Sequence, residues 1–222
     1  MSGALEVTSL AGHGEELLNV YDEAGAVIGA QPRRAAKASG LAVGAVNALL
    51  VNARGEVLLQ RRPGDKENGG LWDKSVGGHV SAGEEFDVTM VREAAEELFD
   101  DPASARVRLA TAEEGFVALV LASDLTQCVV LRRVAFQRNL RDVRHAPGGG
   151  LRNVRYHLAI YAGRTDIPID GFRPQASEID ALSYVSAAEL DRLLLAGRLA
   201  PNMAFLWLTQ GHGLLGLAPR RS

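Results

Sequence analysis

Three glutamates, Glu93, Glu96 and Glu97, stand at spacings of three and four residues. On a helix those spacings put all three carboxylates on one face. Crowded carboxylates repel one another, and a merely solvated face would intersperse lysine or arginine. Arg92 is the only cation within the cluster. Hard oxygen donors in this arrangement suit Mg²⁺ or Mn²⁺, which take one or two carboxylates plus waters and substrate phosphates. The helix is preceded by a glycine-rich stretch, Pro63 to Gly83, in which Gly77, Gly78 and Gly83 lie closest to the acids. Glycine lets backbone come close to a helix or a ligand. Glu84 falls near the expected helix start, where the dipole favours a carboxylate. Glutamate-rich helices are usually just wet surfaces. Six fixed residues at fixed spacing, Gly78, Glu84, Arg92, Glu93, Glu96 and Glu97, are different, with a chance match on the order of one in ten thousand from average composition.

These residues need a scaffold, and the flanking pattern supplies one. Leu17 to Asp22 and Ala26 to Gln31 surround Glu23-Ala24-Gly25 and predict a hairpin. Pro32 opens a short helical segment, Arg33 to Ala38. Val43 to Asn52 and Glu56 to Gln60 flank Ala53-Arg54-Gly55 and predict a second hairpin. A brief strand is expected near Trp72 to Val76, then a helix from Glu84-Glu85 through about Leu98. Phe116 to Leu121 reads as a strand; Ser123 to Arg144 reads either as a helix capped by Ser123 or as a strand pair. Gly148 to Gly150 reads as a loop, and Arg155 to Ala162 and Ala181 to Val185 as strands. Ser186 caps a helix, Ala187 to Leu195, and Met203 to Gln210 forms a last short one. Strands on both sides of helices predict an α/β fold with a mixed sheet.

Composition narrows the function. With 222 residues the chain suits one large domain, here 15–222, with 1–14 as a flexible lead-in and an insert around 123–150. A net charge of −3 gives no global attraction to nucleic acid or membrane, so no stable nucleic-acid partner is expected. The single cysteine, Cys128, excludes an intrachain disulfide framework and favours a reducing, cytoplasmic setting. No apolar run reaches membrane-spanning length, and the first residues lack a signal-peptide pattern.

The segment from Gly78 to Glu97 resembles the Nudix box, G-x5-E-x7-R-E-U-x-E-E-x-G-U, with U aliphatic. Ala94 is a small member of the aliphatic class. Two positions depart: Phe99 stands at the box's last glycine and Asp100 at its last aliphatic, which puts the helix end in question. The resemblance implies an α/β/α Nudix sandwich with a mixed sheet and divalent ions held by Glu93, Glu96 and Glu97, with Glu84 nearby. It further implies that Arg92 holds carboxylates by charge-assisted hydrogen bonds. The implied reaction is water attack on a phosphorus of a small-molecule diphosphate, with Glu97, Glu96 or the later acid Glu178 as general base. A homodimer is compatible with the resemblance.

Upstream, Leu58 to Arg62, Lys66 and Gly70 to His79 resemble the isopentenyl-diphosphate-isomerase-like branch; the likeness covers about residues 15 to 100. Isomerases place a catalytic cysteine where this chain has Gly77 and a proline where it has Val80. They also carry histidines near the first core strand, where Leu41 to Val46 has none. Hydrolysis is therefore expected ahead of isomerisation, with a non-catalytic binding module as the third reading.

Other residues have two readings each. Arg61, Arg62 and Lys66 either reach substrate phosphates or form a solvated strand end. Trp72 is expected to pack a loop, and His79 lies either at the surface or on a phosphate. The run Arg132, Arg133, Arg138, Arg141 and Arg144 is interrupted by Asp142 and is expected to be a solvated or phosphate-facing surface.

Overall fold

The structure, a computed structural model, describes residues 15–145 and 151–215. The expected lead-in at 1–14 and the loop at Gly148–Gly150 lie outside them. The first hairpin forms as expected, with β1 (Leu17–Tyr21) antiparallel to β2 (Val27–Pro32), followed by α1 (Arg33–Ala38). Then come β3 (Ala42–Val51), β4 (Val57–Arg61), β5 (Trp72–Asp73), β6 (Val76–His79) and α2 (Phe86–Phe99). The second half holds β7 (Val107–Ala110), α3 (Glu113–Ala122), β8 (Val129–His145), β9 (Leu151–Arg164) and β10 (Ala181–Val185). It ends with α4 (Ala187–Leu195) and α5 (Pro201–Leu215).

The strands form one mixed sheet in the order β10-β4-β3-β9-β8-β7, with β1, β5 and β6 pairing onto the central strands. Strand β3 is its axis. It is buried along its whole length, which is why it reads as a continuous apolar run. Its alternate side chains serve two layers. Val46, Ala48 and Leu50 pack with Met90, Ala94 and Leu98 of α2. Ala45, Leu49 and Val51 pack with Leu190 of α4 and with Met203 and Leu206 of α5. Each fully buried aliphatic side chain contributes roughly 1.5–3 kcal/mol. The result is an α/β/α sandwich. None of its described helices is long and apolar enough to cross a membrane.

The expected second hairpin is splayed. β3 and β4 pair only at Val51↔Val57. Ser75 stands between them: its Oγ accepts from Leu50 N at 2.8 Å and donates to Leu58 O at 2.5 Å. One hydroxyl thus replaces a direct ladder contact and admits β6, which pairs with β3 from Ala45↔His79 to Ala48↔Val76.

Two expectations in the middle of the chain are corrected. Phe116 to Leu121 lies within helix α3, not a strand. Its apolar run is too short for periodicity to decide, and Glu113 and Glu114 in the first turn favour a helix N-terminus. Ser123 ends that helix instead of capping a new one, and its Oγ accepts from Arg108 Nη1 at 2.8 Å. The segment beyond is the long strand β8, paired with β9. Its register slips between Arg133 and Ala135 and again between Gln137 and Leu140, which erases the two-residue alternation. The helix end left open by Phe99 is supplied one residue later: Asp100 adopts the left-handed conformation at φ 50°, ψ 33°. Its N–H and that of Asp101 close onto Glu96 O and Ala95 O. Aspartate is among the few residues that tolerate this region.

Candidate active site

The loop leading into α2 is held from below by the N-terminal hairpin. Asn19 Oδ1 accepts from Gly83 N at 3.0 Å, and its Nδ2 donates to Glu84 O at 3.0 Å. Gly83 itself needs glycine, with φ +81°. Helix α2 then carries the acids along the edge of β6. Gly77 N donates to Glu97 Oε2 at 3.1 Å, and Gln60 Nε2 approaches the same oxygen at 3.5 Å. At Gly78 a side-chain carbon would run into the Glu93 carboxylate. The first glycine of the motif is therefore a contact surface for the first glutamate of the helix.

Arg92 sits among the acids. Its Nε donates to Glu84 Oε1 at 2.9 Å, Nη2 to Glu84 Oε2 at 3.1 Å and to Glu93 Oε1 at 3.0 Å, and Nη1 to Glu96 Oε2 at 3.1 Å. Thr89 Oγ1 adds a bond to Glu84 Oε2 at 2.8 Å. Burial works against the charge on Glu84, yet the hydrogen bonds from Arg92 and Thr89 and the Arg92 charge hold its carboxyl below the ordinary range. Burial likewise works against Arg92, but its carboxylates keep the guanidinium firmly charged. Deeper in, the balance reverses. Burial outweighs the Arg92 charge and, helped by Glu96, pushes the Glu93 carboxyl up to about 7. Burial, reinforced by the Glu93 charge, pushes Glu97 up to about 8. Glu97 is only 8% exposed.

This donor set fits a divalent cation: the buried Glu97 and half-buried Glu93, both pushed above the ordinary range by burial, with Glu96 beside them at the cleft surface. Glu93, Glu96 and Glu97 would hold it, and Glu84 stands behind Arg92 as its anchor. Among the described residues no three acidic, histidine or cysteine side chains form a ready cage. The guanidinium lies between Glu84, Glu93 and Glu96 instead.

The acids open into a cleft of about 490 Å³, a volume suited to a small-molecule ligand. Arg92, Glu93, Glu96, Glu97, Gly78, Arg62 and Glu178 all line it. Glu84, Arg61 and Lys66 are outside its lining. Arg61 is turned to Asp180, with Nε to Oδ2 at 2.8 Å, and its guanidinium lies 5.9 Å from the Trp72 ring. Lys66 Nζ donates to Glu178 Oε1 at 2.8 Å, tying the loop after β4 to the loop before β10. Several lining residues gave no signal as site residues in the sequence. Asn47 lies in a strand-like apolar run, and Lys74 reads as a polar strand end. Arg33 and Lys37 on α1, and Tyr156 and Phe205 from the second half, come together only through the fold. The one readable hint was the i, i+4 spacing of Arg33 and Lys37.

Residues 42–111 match the family model of the NUDIX domain. An uncharacterized Nudix hydrolase of Nostoc sp. is 38% identical over 85 residues, covering 37% of this chain and 50% of that protein. The chain thus spans about half the length of this curated relative. A crystal structure of the Deinococcus radiodurans protein DR0079 superposes with a TM-score of 0.58 at 22% identity, over 86% of this chain and 96% of that one. RenU, a Nudix hydrolase of M. smegmatis, superposes with a TM-score of 0.50 at 16% identity, over 92% of this chain and 98% of its own. The sandwich, with its glutamate helix laid against a glycine-lined strand, is the Nudix fold. Within that fold, residues 42–111 are similar to the NUDIX domain.

Proposed function

We propose that the protein is a Mg²⁺-dependent pyrophosphohydrolase, also served by Mn²⁺, that cleaves the diphosphate linkage of a small nucleotide-like molecule in a cytoplasmic setting. One observation carries the reading: a buried Glu97 and a half-buried Glu93 line an open cleft, and burial pushes both carboxyls well above the ordinary range despite the nearby cations. Such a cluster costs stability unless it binds something cationic. When bound, a divalent ion supplies a lowered pKa for the attacking water and neutralises charge on the departing phosphate.

The chain's own residues do the positioning. Gly77 N–H fixes one oxygen of Glu97, and Arg92 aligns Glu93 and Glu96 on adjacent turns. The proton acceptor is drawn from Glu97, Glu96 and Glu178, all of which line the cleft. Isomerisation is disfavoured for a local reason. The position where the resemblance calls for a thiol is Gly77, and the Lys74 side chain already fills the space above it.

The test is phosphate or phosphomonoester release across a panel of nucleoside diphosphate derivatives with Mg²⁺, Mn²⁺ or EDTA. Metal-dependent release from one class, reduced about a hundredfold or more by Glu97→Gln, is expected from the loss of a charged group acting in the transition state. A Glu97→Gln protein as fast as its parent refutes the assigned role. Turnover of isopentenyl diphosphate to its allylic isomer revives the isomerase. Silence across both assays, with folded and metal-loaded protein, leaves a binding module.

A further inference from the structure

Close to Glu97, Asp73 carries two cations. Its Oδ2 accepts from Arg62 Nη1 at 3.3 Å, and both of its oxygens lie 3.3 Å from Lys74 Nζ. Its Oδ1 also takes the Lys74 N–H at 2.8 Å. Asp73 is thus shared between Arg62 and Lys74, and Glu97 is a second carboxylate near the lysine. Lys74 is 6% exposed, although lysine is seldom buried without a full partner. An ammonium has three donors, and two long contacts to a single carboxylate leave capacity unused.

The placement of that ammonium is specific. A side-chain carbon on Gly77 would collide with Lys74 Cε and lie 2.9 Å from both Lys74 Nζ and Asn47 Oδ1. The lysine stem therefore crosses the Gly77 backbone, and its charge stands at the cleft floor beside the N–H that holds Glu97. Arg62 and Lys74 both line the cleft, so two cations tethered to one acid face it next to the carboxylates of α2. A purely structural lysine would need no such outlook onto the cleft. A fixed cation there matches the oxygens of a phosphate group.

We propose that Lys74, with Arg62 beside it on Asp73, binds the non-bridging oxygens of one phosphate of the diphosphate, at the cleft floor beside the metal-facing acids. The role in a diphosphate substrate rests on the hydrolase reading; the capture of the anion itself does not, and it is measured without metal or turnover. The probe is methylenediphosphonate, titrated calorimetrically in EDTA into the full chain. Lys74→Met is expected to weaken binding about tenfold or more, as loss of a charge-assisted hydrogen bond does, while melting shows the variant folded. A folded Lys74→Met protein with unchanged affinity overturns the proposal, as does a parent protein that does not bind the probe.

Should Lys74→Met fail to fold, the parent protein still decides. The chain has three lysines, Lys37, Lys66 and Lys74. The ¹³C ε-methylene signals of lysine-labelled protein are assigned by elimination with Lys37→Arg and Lys66→Arg. Saturating probe is expected to shift the Lys74 signal; a stationary signal overturns the proposal. Binding with the Lys74 shift but no hydrolysis of any panel compound supports this anion site while refuting the hydrolase reading.

Discussion

Replacing Glu97 by glutamine should make the metal-free protein more stable at alkaline pH. The Glu97 carboxyl is pushed up to about 8 in the folded protein by burial and by Glu93, against an ordinary value of 4.5. A folded value above the unfolded one means that the protonated form fits the fold better than the charged form. Its stabilising contribution is complete below the unfolded value and is lost as pH rises through about 8. Each pH unit in that window costs up to about 1.4 kcal/mol for one group. Even a two-unit displacement leaves the ionised carboxylate costing about 3 kcal/mol at alkaline pH. Glutamine keeps the shape, and its Oε1 still accepts from Gly77 N–H, but it carries no charge. For a domain of this size about 3 kcal/mol corresponds to roughly 6–12 °C in Tm. The assay is thermal melting in EDTA from pH 4.5 to 9 for both proteins. The parent should lose stability progressively toward pH 9, and Glu97→Gln should keep only the shallower loss due to Glu93, which is raised to about 7. The curves should converge at the acid end. Parallel curves, or a variant less stable than the parent at pH 8.5, refute the claim that Glu97 is held against its preferred charge. Mg²⁺ should then raise the parent's Tm more at pH 8 than at pH 5, and that gain should shrink in the variant.

Three further outcomes follow from single contacts. Gly78→Ala puts a methyl group into the Glu93 carboxylate; it should cost about 1–3 kcal/mol by overpacking and abolish metal-dependent turnover, checked by denaturant melts and by the release assay. Asp100→Gly should stabilise the fold by up to about 1 kcal/mol, because glycine adopts the φ of 50° observed there without strain; equal or lower stability in urea refutes it. Arg92→Lys keeps a charge but cannot reach Glu84, Glu93 and Glu96 at once. The metal requirement of the release assay should therefore shift to higher Mg²⁺, with kcat falling at least tenfold on the scale of a lost charged hydrogen bond.

What the sequence disclosed divides along physical lines. The glutamate helix was legible because i, i+3, i+4 spacing is a local property, and the Ser186-capped helix because its cap is local too: Ser186 Oγ accepts from Glu189 N at 3.3 Å. The strand pair β8–β9 was not, because two register slips cancel the alternation on which strands are recognised. Helix α3 reads as a strand because Val117 and Val120 are β-branched, and with only Phe116 buried no amphipathic stripe marks it. The loop cations divided in the same way. Nothing in the order Arg61-Arg62 shows that Arg61 turns to Asp180 while its neighbour faces the cleft, since each choice depends on an acid distant in sequence or across a strand. Lys74 was invisible as a cleft residue because a lysine after Trp72-Asp73 looks like a strand end, and only the missing side chain of Gly77 makes room for it.

The cleft itself depends on one hydroxyl. A normal β3–β4 hairpin would bring these strands together along their length, and β6 could not lie beside β3. Ser75 Oγ prevents this by bridging Leu50 N–H and Leu58 C=O, both on fully buried residues. The splay places Gly77 opposite Asn47. There the Gly77 N–H can reach Glu97, and Lys74 can cross above it. Ser75→Ala removes both bonds and leaves a buried donor and a buried acceptor without that partner. Each such loss costs about 1–3 kcal/mol, so the variant should lose about 2–6 kcal/mol in urea unfolding. Because the strain falls at the root of β6, the damage should reach the site as well. Hydrogen exchange at Leu50 and Gly77 should rise together in the variant, and affinity for methylenediphosphonate should fall. Faster exchange confined to Leu50, with Gly77 protected and anion binding intact, would show that β6 is held in place by its β3 ladder and the α2 core, and that the serine bridge only seals the strands it touches.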